Sequence, residues 1–162
     1  MKHLHNMPIR IIGFIGWSAA MVLIGSTGPE FGFSQSQAAT NSSFVRLDSE
    51  RLSGNNLGEY EPYEPEFGNL IARNMTIFNS EDGNLGIGVW ESKPGETTYT
   101  DLEYDELMYV LDGGLVMTDE HGNTSRYGAG QGLVLPKGWA GTLAVPDGGV
   151  RKIWVTYMGG KK

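Results

Sequence analysis

Between Gly86 and Val145 the chain is cut into short pieces. Apolar and β-branched runs alternate with clusters that reverse a backbone: Pro94-Gly95, Asp112-Gly113-Gly114, Glu120-His121-Gly122-Asn123, Tyr127-Gly128-Ala129-Gly130 and Pro136-Lys137-Gly138. This punctuation predicts strands over 72–78, 86–92, 97–101, 105–111, 115–119, 124–127, 132–135, 141–145 and 150–157, with no helix between them. Short strands in that number suit an antiparallel jelly roll, whose two sheets close most of their edges against each other. Twenty-four glycines and 10% aromatic residues favour the same turn-rich β architecture over a helical one.

The chain has 162 residues and no cysteine. That length allows one domain plus extensions, and the missing thiols exclude disulfides, thiolate metal sites, cysteine nucleophiles and lipid attachment to cysteine. A net charge of -7 argues against nucleic acid as a partner and against an anionic membrane surface for the mature domain. There is no Walker loop, no Gly-x-Ser-x-Gly elbow and no His-Glu-x-x-His. Gly128-Ala129-Gly130-Gln131-Gly132 is not a dinucleotide loop, because no helix follows it.

Lys2 and Arg10 precede Ile11 to Gly25, a run without a charge. This is the pattern of a signal peptide, since a spanning helix wants about 20 apolar residues. Ser36-Gln37-Ala38 offers a small-x-small cleavage site, so 1–38 is expected to be a signal peptide or an uncleaved anchor. The expected destination is periplasmic or secreted, or membrane-anchored if the leader stays. Residues 39–70 read as an arm, 71–158 as the β domain and 159–162 as a tail. Within the arm, 48–57 predicts one short helix capped by Asp48. Glu59 to Phe67 alternates acids, aromatics and prolines, which favours an extended strap. It is either a partner-binding peptide or an arm laid across the barrel by Tyr60, Tyr63 and Phe67.

Two stretches of the punctuation resemble the twin motifs of the cupin superfamily. Gly95, Glu106 and Gly113 stand at the glycine and glutamate places of the first motif, and Gly130, Pro136 and Gly138 fit the second residue for residue. The flanks Gly88-Val89-Trp90-Glu91 with Pro94-Gly95, and Val150-Arg151-Lys152, are similar to the cupin 3 branch of ureidoglycine-aminohydrolase-type domains. The resemblance covers Gly86 to Tyr157 and implies a cupin jelly-roll β-barrel, the double-stranded β-helix.

It also implies that Glu106 points into the barrel. Side chains alternate along a strand, so Tyr104, Met108 and Val110 then line the cavity while Leu107, Tyr109 and Leu111 face outward. Such an outward apolar row is covered by the arm or by a second subunit, and the resemblance implies a homodimer. A cupin metal cage takes three histidines and a glutamate, but only His121 follows the leader, and it sits on a hairpin tip. The first-motif histidine places fall between Tyr99 and Glu103, and the second-motif place is Gly141. No histidine-built cage forms, so no metal cofactor is expected.

Asp101, Glu103 and Glu106 are left as an acidic cluster in apolar surroundings, where a carboxylate must find a cation, find donors or take up a proton. The cation is a ligand amine or guanidinium, a hard divalent ion, or an internal partner among Lys137, Arg151 and Lys152. Trp139 and Trp90 are candidate apolar walls, although tryptophans in small β domains more often simply pack. The reading favoured is binding of a small polar, nitrogen-containing molecule by Trp90, Tyr99, Asp101, Glu103, Glu106, Met108, Trp139 and Lys152. The alternatives are an aminohydrolase-type enzyme with Glu106 as base, and a structural dimeric module without a ligand.

Overall fold

The computed structural model describes residues 43–64 and 66–159. The leader, its cleavage point near Ala38 and tail residues 160–162 lie outside them. No helix among the described residues is long and apolar enough to cross a membrane.

The described residues form one helical turn, α1 (Ser49–Leu52), and nine strands: β1 (Glu61–Pro62), β2 (Ile71–Asn79), β3 (Leu85–Ser92), β4 (Gly95–Tyr99), β5 (Asp105–Asp119), β6 (Thr124–Gly128), β7 (Gly132–Leu135), β8 (Gly141–Val145) and β9 (Val150–Tyr157). Every pairing between them is antiparallel. One sheet runs β1-β2-β3-β9-β5-β7 and the other β4-β8-β5-β6, so the long β5 serves both. This is the curled double sheet of the jelly roll expected from the sequence.

The sequence predicts two strands separated at Asp112-Gly113-Gly114, and the structure has one strand of 15 residues. The turn-prone residues make a bulge instead of a reversal: register with β9 slips between Val110 and Asp112, and β5 bends from one sheet into the other. Gly113 sits there at φ +69°, and a Cβ on it would stand 2.1 Å from the carbonyl oxygen of Gly149. Strand β4 begins at Gly95, two residues before the predicted 97, because Gly95 already pairs with Val145. The arm helix shrinks from the predicted 48–57 to one turn, capped by the Asp48 carboxylate, which accepts from the Arg51 backbone N–H at 3.1 Å.

The two inner faces meet in one apolar cluster. Met108, Val110 and Leu115 of β5 lie in it with Trp90, Leu135, Leu143 and Val145 from neighbouring strands, all of them buried. The strap joins the edges of the two sheets: β1 pairs with β2, the Thr98 N–H donates to the Phe67 carbonyl at 3.1 Å, and Gly68 bridges to Thr97. It turns Tyr63 inward, where the ring packs against the cluster.

The two motif glycines differ in what surrounds them, and this gives a direct test. Gly138 has φ +86°, but a Cβ there would meet nothing closer than the Asp101 Oδ1 at 4.0 Å. Gly138→Ala is expected to cost only the backbone term of about 1–2 kcal/mol. Gly113→Ala adds a backbone clash of about 1–3 kcal/mol to the same term. Urea unfolding of the two variants checks the order, and equal losses would refute the bulge geometry.

Candidate functional site

Alternation along β5 turns Glu106, Met108 and Val110 inward, and each is buried. Leu107 and Tyr109 point the other way and are each 43% exposed. Register then builds the site strand by strand. Val110 of β5 lies opposite Lys152 of β9, which lies opposite Trp90 of β3. Glu106 lies between Thr156 and Leu135, one step beyond Met108 on the same face.

Lys152 reaches along that face, and its Nζ donates to Glu106 Oε1 at 2.8 Å. Both residues are withdrawn from water, at 5% and 6% exposure. The same ammonium stands 5.2 Å from the centre of the Trp90 ring, a cation–π contact. Tyr63 meets Trp90 edge-on with centroids 5.7 Å apart. Tyr99 of β4 leans on Trp139, with ring centroids 5.9 Å apart. Burial pushes the Tyr63 and Tyr99 phenols well above their ordinary range, and the nearby Glu106 charge pushes both the same way. Three buried side-chain polar atoms have no partner among the described residues: Trp90 Nε1 and Thr97 Oγ1 in this interior, and Arg151 Nε on the outer face.

Of the site residues expected from sequence, Trp90, Tyr99, Glu106, Met108 and Lys152 are brought together in the interior. Trp139 is half-buried at the edge of this group, against Tyr99. The acidic cluster does not form, because Asp101 and Glu103 are exposed. Leu102 between them is buried and pinned, its N–H donating to the Trp139 carbonyl at 3.1 Å and its carbonyl accepting from the Gly138 N–H at 2.7 Å. With Leu102 drawn inward, its two acidic neighbours are turned out to water. Sequence reasoning missed Tyr63 and Thr97 as part of the interior. Thr97 follows from Tyr99 by the two-residue alternation, whereas nothing in the strap's spacing says which of its aromatics turns in.

A cupin metal does not fit this interior. Among the described residues no three histidine, cysteine or acidic side chains converge, and the side chain of His121 is 77% exposed on its hairpin. Glu106 already holds a cation of the protein's own. What the interior offers is an ammonium and an indole N–H as donors beside a carboxylate acceptor, with no net charge.

Two buried phenols set an alkaline limit. An unfolded tyrosine titrates near pH 10, and the folded Tyr63 and Tyr99 titrate higher, so above about pH 10 the folded state holds more protons than the unfolded one. Stability is therefore expected to be fully present below that pH and to fall as pH rises beyond it. Tyr63→Phe with Tyr99→Phe should flatten the decline in denaturant titrations between pH 8 and 11, and an unchanged slope would refute it.

The family model described as a EutQ-like cupin domain matches residues 79–154. The EutQ protein of Clostridium difficile is 32% identical over 54% of this chain and 68% of its own, with a TM-score of 0.49. A putative ethanolamine utilization protein Q from Salmonella typhimurium is 25% identical over 64% of this chain and 80% of its own, with a TM-score of 0.51. A cupin-like protein from Thermotoga maritima, 13% identical over 64% of this chain and 81% of its own, has a TM-score of 0.55 and shares the fold. No curated protein matches the chain. The matched model is not described by ureidoglycine aminohydrolase activity, so the finer branch read from the flanks does not pass beyond an expectation. A jelly roll with the glycine, glutamate and proline places of the two cupin motifs filled, and a EutQ-like match over residues 79–154, puts this chain in the cupin 3 family of the cupin superfamily.

Proposed function

We propose that the barrel binds a small, uncharged, polar molecule of the amide or ureide class without a metal ion. The observation that carries this reading is the unpaired Nε1 of Trp90, buried beside the Lys152–Glu106 pair. A buried N–H without an acceptor costs about 1–3 kcal/mol, which a ligand carbonyl would recover. The N–H groups of the same ligand have Glu106 as acceptor. Because Lys152 already balances Glu106, a neutral guest leaves the interior uncharged, whereas a free cation or anion would add a buried charge. The aminohydrolase alternative gains no support, since the carboxylate it needs as base is engaged. The structural alternative does have an observation in its favour, the closure of Glu106 on Lys152.

A thermal-shift panel of ureides, primary amides, amines, amino acids and sugars on the full chain decides between them. Ethanolamine belongs in it, because the Salmonella neighbour is named for ethanolamine utilization. The expected result is a saturable rise from an amide or ureide, worth about 2.7 kcal/mol at a hundred times its dissociation constant, and lost in Trp90→Phe. A response to amines alone would mean that the ligand displaces Lys152 and would overturn the neutral-guest reading. Silence throughout would favour the structural module.

We further propose that the outer face of the larger sheet is covered by a second copy of the chain. Two apolar rows cross it, Met75-Val89-Ile153-Tyr109 and Ile87-Val155-Leu107-Val134; Val89 is already buried within the chain, and Tyr109, Leu107 and Val134 are left exposed. Val134 is 60% exposed. The arm adds Phe44, Val45 and Leu47, also bare, so each copy offers both a face and a segment to lie on it. Val134→Glu alters only an exposed side chain and is expected to turn a dimer into a monomer by sedimentation. A wild-type chain that sediments as a monomer would refute the pairing.

A further inference from the structure

A second group of charges lies on the outer face, apart from the barrel interior. Arg73, Glu91, Arg151 and Asp112 stand side by side on β2, β3, β9 and β5. Glu91 is their hub: it accepts from the Tyr60 hydroxyl, from Arg73 Nη2 at 2.7 Å and from Arg151 Nη1 at 3.4 Å. Burial works against its charge, but these hydrogen bonds outweigh it and hold the carboxyl below the usual range. Tyr60 carries a cation on its ring as well, with Lys93 Nζ 4.5 Å and Arg73 Cζ 4.7 Å from the centroid. Three cations thus meet two acids, in a chain whose net charge is -7.

An open cavity of about 280 Å³ adjoins this group, lined among others by Tyr60, Gly148, the cations Lys93 and Arg151 and the acids Glu91 and Asp112, of which Glu91 is already held by Tyr60 and Arg73. Its volume lies near the lower end of small-molecule sites, about 300–1,000 Å³. Arg151 is the under-used member. Its Nη1 contact to Glu91 is long, its Nη2 is 3.8 Å from Asp112, beyond hydrogen-bond distance, and its Nε is buried without an acceptor. The Asp112 side chain is 73% exposed, so water screens the little it offers. A guanidinium in this state has most of a planar donor fork unspent, and the groups that fill such a fork two bonds at a time are carboxylates and phosphates. Gly148 leaves its part of the lining open, since a Cβ there would meet nothing within 4 Å.

We infer that this cavity is an anion site, taking a small carboxylate or phosphate compound between Arg151 and Lys93. The site depends on the strap, because Tyr60 forms one wall and holds Lys93 over its ring. It is independent of the barrel: nothing that lines it touches Glu106 or Lys152 in the contacts above.

Isothermal titration of the full chain with inorganic phosphate and with succinate, against sodium chloride at matched ionic strength, tests it. Saturable binding of at least one of them is expected, and which one binds more tightly tells a phosphate site from a carboxylate site. Lys93→Ala and Arg151→Gln should each weaken it at least tenfold, while Arg126→Gln, an exposed cation on β6, should leave it unchanged. If Arg151→Gln does not fold, Lys93→Ala decides, since its side chain is exposed. No binding beyond the chloride control, or equal binding by Lys93→Ala, would overturn the inference.

Discussion

Two opposite charges taken out of water are the constraint on which the interior depends. Moving a carboxylate or an ammonium into a protein costs several kcal/mol, and mutual attraction offsets this only with good geometry. Lys152 and Glu106 have that geometry, a 2.8 Å contact under the lid of the Trp90 ring. Each residue needs the other. Taking away one partner strands a buried charge at a cost of about 3–5 kcal/mol, so the pair ties β5 to β9 at the place where a cupin normally holds its metal.

The strap follows from the same requirement. Aromatic rings seal a charged pair from solvent with large apolar faces, although the O–H of a tyrosine and the N–H of a tryptophan want partners when buried. Tyr63 turns in against Trp90, edge to face. Three residues earlier, Tyr60 stays outside and closes over Glu91, Arg73 and Lys93. One short extended segment thereby organises polar groups on both sides of the larger sheet.

The β architecture was legible because its signals are local. Turn clusters and two-residue alternation placed most strands within a residue or two, and the parity argument assigned the inward and outward residues from Glu106 to Val110 correctly, up to the bulge that interrupts the alternation at Leu111. Asp112-Gly113-Gly114 was misread because the same residues that permit a reversal permit a bulge, and only pairing with β9 selects between them. The expected cluster of Asp101, Glu103 and Glu106 failed for a related reason. Its spacing is consistent with one face, but Leu102 has more to gain from burial than its two charged neighbours, and the segment rotates to suit it.

By itself the sequence determined the class of fold and the list of cations available to Glu106, because these depend on residue identity and short-range period. It could not choose among those cations. Lys152 is 46 residues from Glu106 along the chain, and the choice rests on the antiparallel register of β3, β9 and β5, which sets Lys152 between Val110 and Trp90 on the inner face and sends its neighbour Arg151 to the outer one. Register is a property of paired strands, fixed by burying one face of a whole sheet at once, so only the tertiary structure decides which charge is neutralised inside and which is left to face a cavity.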